Sequence, residues 1–362
     1  MLDKDYMSLA LNLVKMTSGQ TSPNPAVGAV VVNQGKIVGI GAHLKAGEEH
    51  AEVHALNMAG DRAAGGTIYV TLEPCSHYGK TPPCADMIIE RGISRAVIAT
   101  SDPNPQVAGN GIQKLKNAGI EVVVGVMEKE ARKYNQDFFH YMKTNRPFVT
   151  LKMAVSLDGK MATASGESQW ITGPEARKDG HCLRHQHDAI LVGIGTVLAD
   201  NPSLTARLGR VQGAHPVRVI LDSQLRTPLA ANIVNDRLAP TWILTLEGQK
   251  GNQKAEALKS RGIDIYYFED LSISNILTFL GKKAIKSLLV EGGAAVQDAF
   301  LQSRLIDQLV AYIAPKVIGG KDALTAFGGK GISKLADALS LTFEETTKIG
   351  DDIKIVAHVK GD

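Results

Sequence analysis

Cysteine is scarce. Three residues in 362 is an odd number and too few for a disulfide framework. Charge of one sign is lacking too: 40 Lys and Arg against 37 Asp and Glu leave +3. Up to Asn145 there are 14 basic and 14 acidic residues, so the whole excess lies in the remainder. Neither part has the basic surplus that binding a phosphate backbone needs, which argues against a nucleic-acid partner. No apolar run reaches 18 residues, so neither a transmembrane helix nor a membrane partner is expected. The opening stretch, MLDKDYMSLALNLVKM, is amphipathic and acidic at its start, unlike a signal peptide. No internal repeat or low-complexity tract is present. What is there suits a cytoplasmic enzyme: 44% apolar residues for a core, and length for two domains.

Residues 3–18 carry apolar positions at helical spacing and stop at Gly19. In TSPNPAVGAVVV two prolines bracket Asn24 and stiffen the loop, and 27–32 reads as a strand by β-branched content. Gln34-Gly35 turns the chain into a second strand, KIVGIGAH. A helix is expected over 50–59, strands over 67–72, 95–100 and 120–125, with helices near 85–91 and 111–118. This alternation predicts a three-layer α/β domain. One last helix, 128–143, ends before Arg146-Pro147, the expected boundary. Beyond it, strands are expected at 148–156, 189–192, 217–221, 241–245, 263–267, 287–290 and 309–314. The final stretch LTFEETTKIGDDIKIVAHVK alternates as an antiparallel hairpin.

The strongest chemical signal is His50-Ala51-Glu52 followed by Pro74-Cys75 and Cys84. One imidazole and two thiolates suit Zn²⁺, and three protein ligands leave a fourth position for water. Glu52, two residues from the His ligand, is free to shuttle protons. His-x-Glu followed by Pro-Cys-x-x-Cys is the zinc-deaminase signature. Here eight residues, SHYGKTPP, replace the usual two between the cysteines. A structural zinc closed by His77 or His54 is the competing reading. Pro74-Cys75 after a strand and His-x-Glu opening a helix favour catalysis.

At these residues the sequence resembles the bifunctional riboflavin-biosynthesis deaminase–reductases. TSPNPAVGAVVV, GAHLKAGEEHAEVHAL, TLEPCSHYGKTPPCAD and SDPNPQVAGNG carry the likeness, and the long Cys-to-Cys insert is typical of that family. KMAVSLDGKMA, SQWITG, GIGTVLADNPSLTAR and VEGGA extend it through the second half. The resemblance implies a cytidine-deaminase-like α/β/α domain over 1–145 and a dihydrofolate-reductase-like α/β domain over 146–362. It implies Zn²⁺ and NADPH as cofactors, a small phosphoribosylaminopyrimidine as substrate, and a homo-oligomer. The first domain would hydrolyse an exocyclic amino group, and the second would reduce the ribosyl group to ribityl.

Within the deaminase pocket, Asn24 can pair with a pyrimidine edge, and His77 and Lys80 can receive a phosphate. By resemblance His43, Asp102 and Asn104 line the same pocket. Asn24 could equally be a turn residue, Asp102 and Asn104 an Asx-type turn, and Lys80 a solvated charge.

In the second half Gly193-Ile194-Gly195 lacks the third glycine of a dinucleotide fingerprint, because position 198 is Leu198, and no acidic ribose partner is evident; a Rossmann assignment is rejected. Glu291-Gly292-Gly293, between a strand and a helix, can present backbone N–H groups to a pyrophosphate, or be a plain β–α turn. By resemblance Ala154, Trp170, Thr196, Asp200, Ser223, Gly293, Ala294, Ala295, Val296, Gln297, Asp298 and Ala299 contact NADPH. Ser168, Arg184, Leu204, Arg207 and Glu291 contact the substrate, the two arginines as phosphate clamps. Ring opening of the ribosyl group needs a proton donor. Lys152, Asp200 and Glu291 are the candidates, and Lys152 is favoured, although a snorkelling edge lysine is the plain alternative. Trp170 as core competes with Trp170 beside the nicotinamide. Cys182 with His181, His185 and His187 reads as a polar helix face ahead of a second metal site.

Two other functions compete. A nucleic-acid base deaminase would show a basic, aromatic first half, and the balance there is zero. A non-catalytic zinc module fused to another reductase would have lost Glu52 or a ligand, and all four residues are present.

Overall fold

The computed structural model describes residues 2–78, 82–104, 108–209 and 214–360. It divides into two compact units, Met1–Asn145 and Arg146–Asp362.

The first unit runs α1 (Asp3–Thr17), β1 (Gly28–Asn33), β2 (Lys36–Ala42), α2 (Ala51–Ala59), β3 (Thr67–Val70), α3 (Cys84–Glu90), β4 (Arg95–Ile98), α4 (Asn110–Asn117), β5 (Glu121–Val124), α5 (Glu128–Tyr134) and α6 (Gln136–Thr144). Its sheet has the order β2-β1-β3-β4-β5, antiparallel through β2, β1 and β3 and parallel from β3 onward. The two-residue period of β1 sorts its side chains between two cores. Ala29 and Val31 meet Ala55 and Leu56 of α2, Ile88 of α3 and Leu115 of α4. Val30 and Val32 meet Met7 and Leu11 of α1 and Ala131 of α5 on the other face. Three layers follow directly.

The helix expected over 128–143 is broken. Asn135 leaves the helical region at φ −120°, ψ 25°, and is 3% exposed. Its amide bridges one distant residue: the Ala26 N–H donates to Oδ1 at 2.9 Å, and Nδ2 donates to the Ala26 carbonyl at 2.9 Å. A buried amide with both ends satisfied outweighs helix continuity. It also pins the loop that carries Asn24.

The second unit runs β6 (Phe148–Ser156), α7 (Pro174–Gln186), β7 (Ala189–Gly193), α8 (Ile194–Asp200), β8 (Val217–Leu221), α9 (Asn232–Asn235), β9 (Thr241–Leu246), α10 (Gln253–Lys259), β10 (Asp264–Phe268), α11 (Ile273–Lys282), β11 (Ser287–Val290), α12 (Ala294–Ser303), β12 (Gln308–Ala314), β13 (Leu341–Ile349) and β14 (Asp352–Val359). The sheet order is β10-β9-β8-β7-β11-β6-β12-β14-β13. It is parallel from β10 to β12, and the β13–β14 hairpin joins it antiparallel. Residues of α7–α10 cover one face and those of α11 and α12 the other. The chain leaves β7 toward one face through α8 and leaves β11 toward the opposite face through α12. A cleft opens at such a reversal, at the carboxyl ends of the strands.

Candidate active sites

The first site is built at helix starts. Cβ atoms at Gly39 and Gly41 would come within 2.0 Å of the Ala55 carbonyl oxygen and 2.1 Å of the Ala51 carbonyl oxygen. Only glycine lets α2 lie this close on β2. That approach fixes His50, the residue capping the start of α2, and Glu52 in its first turn. Cys84 opens α3, and its N–H points at Cys75 Sγ at 3.3 Å. His50 Nδ1 lies 3.2 Å from Cys84 Sγ and 3.7 Å from Cys75 Sγ. The three ligand atoms lie within 4.8 Å of one another, and no fourth His, Cys, Asp or Glu joins them among the described residues. Neither His77 nor His54 stands within that spacing of the three, and no such group of described residues includes Cys182.

The donor set fits zinc. Hydrogen bonds from Cys84 and His50 outweigh burial and lower the Cys75 thiol, while the Cys75 sulfur and burial raise Cys84. The His50 imidazole is raised, chiefly by Cys75. One imidazole and two sulfurs competing for protons at this spacing are relieved by a shared cation. Beside them Glu52 is 3% exposed, and its Oε2 has no hydrogen-bond partner. Burial foremost pushes its carboxyl up to about 6. A buried carboxylate oxygen without a partner faces chemistry rather than structure.

Other expected residues gather here. Asn24 Nδ2 lies 3.1 Å from His43 Nε2, and His43 Nδ1 lies 3.1 Å from the Glu49 carbonyl. The carbonyl can only accept, so Nδ1 donates to it and Nε2 accepts from Asn24. Burial lowers the His43 pKa and so disfavours the charged ring. Asn24 Oδ1 is thereby the acceptor left for a ligand. Asp102 and Asn104 do form the Asx turn, with Asn104 N donating to Asp102 Oδ1 at 2.8 Å. Burial raises Asp102, and the charges of Glu73, His77 and Cys75 act on it. His77 is exposed, and Lys80 lies outside the described residues.

Glu73 was not foreseen. It is 4% exposed and ties the Asp102 loop to β3. Its Oε2 accepts from Asp102 N at 3.2 Å and Gly109 N at 3.0 Å. Oε1 accepts from Gly111 N at 3.0 Å and Ile112 N at 3.2 Å. The available signal was an acid directly before the Pro74-Cys75 turn, where burial demands partners.

In the second unit a cavity of about 600 Å³ lies at the cleft. Of the expected residues, Lys152, Ala154, Ser168, Trp170, Arg184, Asp200, Leu204, Arg207, Glu291 and Gln297 line it. Thr196, Ser223, Gly293, Ala294, Ala295, Val296, Asp298 and Ala299 lie outside that lining. Arg177, His181 and Tyr312 line it without having been foreseen. Tyr312 pairs with Ala154 across β12 and β6, a contact over 158 residues of sequence.

Glu291 is the hub. Arg184 donates to it through Nε at 2.8 Å and Nη2 at 3.0 Å, and Lys152 Nζ lies 3.5 Å away. Burial raises this carboxyl, but Arg184 and then Lys152 more than reverse the effect and hold it well below the usual range. The pairing with Arg184 and Lys152 favours the carboxylate form and argues against Glu291 as the proton donor. Arg184 reaches the cavity already paired, whereas the Arg207 guanidinium has no described partner. Lys152 sits on β6 between β11 and β12, so it is no edge lysine. Trp170 is 62% exposed under Arg177, 4.6 Å from the ring, and is not core.

The helix starts beside this cavity, which Gly292 and Gln297 also line, fit a dinucleotide. Gln297 is buried with its Oε1 unpartnered. A Cβ at Gly195 would meet nothing within 4 Å, and one at Gly293 only Thr196 Oγ1 at 3.9 Å. Open space thus stands before the first turns of α8 and α12, while Gly193 and Gly292 are packed against Val296. Gly193-Ile194-Gly195 forms the start of α8, although the pattern is not a Rossmann fingerprint.

A three-ligand zinc site and a nucleotide cleft define a two-activity enzyme, a deaminase joined to a reductase. Residues 1–100 match the cytidine and deoxycytidylate deaminase zinc-binding region, and residues 147–355 match the RibD C-terminal domain. The chain is 49% identical to riboflavin biosynthesis protein RibD of Aquifex aeolicus, over 98% of both chains. It is 50% identical to that of Bacillus amyloliquefaciens, over 99% of this chain and 97% of that one. The solved Acinetobacter baumannii RibD is 40% identical, covers 99% of both chains and has a TM-score of 0.90. A Thermotoga maritima structure, titled a diaminohydroxyphosphoribosylaminopyrimidine deaminase/5-amino-6-(5-phosphoribosylamino)uracil reductase, is 37% identical over 99% of both, at 0.89. The chain belongs to the RibD family of bifunctional riboflavin-biosynthesis deaminase–reductases. Its cofactors are zinc and NADPH. No helix among the described residues is long and apolar enough to cross a membrane.

Proposed function

We propose that residues 1–145 deaminate 2,5-diamino-6-(5-phosphoribosylamino)pyrimidin-4(3H)-one and that residues 146–362 reduce the product. What carries the first half is the three-ligand set with unpartnered Glu52 beside it. Zinc there supplies the Lewis acidity that makes water a nucleophile at neutral pH. Glu52 takes one proton from the attacking water and gives it to a ring nitrogen, then takes the second from the hydroxyl of the adduct and gives it to the amine, which leaves as ammonia. Asn24, oriented by His43, accepts from the pyrimidine edge. His77 and Lys80 meet the phosphate, and Asp102 and Asn104 shape the remaining wall.

In the second half the cleft at the starts of α8 and α12 would hold NADPH, which would supply the hydride for the conversion of ribosyl to ribityl, giving 5-amino-6-(5-phosphoribitylamino)uracil. Lys152 donates the proton that opens the ring, with Glu291 holding its ammonium. Arg207 binds the phosphate, and Arg184 fixes Glu291. Small phosphorylated reactants suit a cytoplasmic enzyme. The edge strand β13, exposed over seven of its nine residues, supports a homo-oligomer. The test is incubation with the diaminopyrimidine, with and without NADPH, and mass analysis. Ammonia and the phosphoribosyl uracil should form without NADPH, and the ribityl product only with it.

A further inference from the structure

The carboxyl ends of β11, β7 and β8 lie side by side: Val290 pairs with Leu191, and Gly193 with Leu221. The strand beyond the α8 turn is therefore β8, about 5 Å further along the sheet. In parallel α/β sheets a dinucleotide with its pyrophosphate at helix starts lays the adenosine ribose over the neighbouring strand end. An acid there takes the 2′-hydroxyl of the unphosphorylated cofactor, and an arginine takes a 2′-phosphate.

Here that strand end reads Asp222-Ser223-Gln224-Leu225-Arg226-Thr227. Asp222 is its acid, and it is turned inward, fully buried. Oδ1 accepts from Arg226 N at 2.9 Å. Oδ2 accepts from the Thr227 N–H and hydroxyl, both at 2.7 Å. Leu225, at φ +50°, closes the turn by donating to the Asp222 carbonyl at 3.2 Å. Swinging this carboxylate out to a ribose would strand three donors. The same bonds fix the Arg226 backbone and leave its side chain exposed, with no described hydrogen bond or ion pair to its guanidinium.

We propose that Arg226 recognises the 2′-phosphate of NADPH and that Asp222 is the positioning residue that presents it. This rests on the placement of NADPH across the starts of α8 and α12. A planar guanidinium matches phosphate in a bidentate fork, and the acceptor that NADH would use is withdrawn in the same turn.

The experiment is calorimetric binding of 2′,5′-ADP and of ADP to the full chain, in wild type, Arg226→Gln and Arg226→Lys. Wild type should favour 2′,5′-ADP. Arg226→Gln should weaken it by about 10- to 100-fold, the range of a charge-assisted contact, and leave ADP within about twofold. Arg226→Lys should recover part of the preference, and melting temperatures should match. A variant that keeps the wild-type preference, or weakens both nucleotides equally, overturns the proposal and leaves the placement of NADPH standing. Wild type binding neither nucleotide overturns both.

Discussion

Glu73→Ala should loosen the deaminase pocket without touching zinc chemistry or reduction. The carboxylate gathers four backbone N–H groups from one loop and the start of α4. Three of these hydrogen bonds are partly buried, so water can replace the acceptor there. The Gly111 bond is buried. A stranded buried donor costs about 1–3 kcal/mol. Loss of the carboxylate at a helix start adds about 1 kcal/mol. The expected destabilisation of the first unit is therefore about 3 kcal/mol, or on the order of 10 °C in Tm. Glu73→Gln keeps one oxygen, accepts about half of these bonds and should cost about half as much. Because Asp102 and Asn104 ride on this loop, the KM for the diaminopyrimidine should rise more than kcat falls. Zinc content and NADPH-dependent reduction of pre-deaminated substrate should hold. The checks are calorimetric melting, ammonia release at varied substrate and elemental analysis. Wild-type melting together with a wild-type KM in Glu73→Ala would show that the loop does not need this anchor and refute the reasoning.

Glu52→Gln should lower ammonia release by at least about 10²–10⁴-fold, with zinc retained and the reductase rate nearly unchanged; near-normal release would remove Glu52 from the chemistry. Cys75→Ser together with Cys84→Ser should abolish both bound zinc and deamination, measured by elemental analysis and ammonia assay. Arg207→Ala should raise the KM of the deaminated intermediate by about 10-fold or more while that of NADPH moves less; the reverse pattern would reassign Arg207 to the cofactor. Glu291 has a depressed folded pKa, so its contribution to stability is full above the unfolded value and is lost as pH falls through the folded one. Wild type minus Glu291→Gln should thus be about 3–5 kcal/mol near neutral pH and shrink from about pH 5 down to about pH 2. A difference that stays flat over that range would contradict the ion-pair hub.

Residue type carried the zinc set, because only His and Cys at this spacing supply such donors, and three ligands in the sequence became three ligands within 4.8 Å. Side-chain period carried β1, whose alternate residues serve two cores. What sequence reading missed depends on partners far along the chain. The break at Asn135 answers Ala26, 109 residues away. Tyr312 enters the reductase cavity only because β12 pairs with β6, and no local pattern announces that pairing. Arg184 resembled a free phosphate clamp until Glu291, 107 residues later, occupied its fork. Local chemistry was legible, and the satisfaction of buried polar groups by remote partners was not.

Both sites obey one rule of backbone electrostatics. A helix start leaves N–H groups without intrahelical partners and carries partial positive charge. Where an Asn caps the start, as Asn252 does for α10 by accepting from Lys254 N at 2.9 Å, that capacity is closed locally. At the two sites no side chain caps the starts of α2, α3, α8 or α12. His50 and Cys84 stand at two of them, and the Cys84 N–H is directed at the Cys75 sulfur, which favours the thiolate a metal needs. Gly193 and Gly293 stand at the other two, with space in front of Gly195 and Gly293 where an anion can approach the backbone. The same kind of donor thus meets a thiolate in one unit and stands open to an anion in the other. Glycine holds the cap position of α8 and α12, so a Ser at Gly293 should close the second start much as Asn252 closes α10.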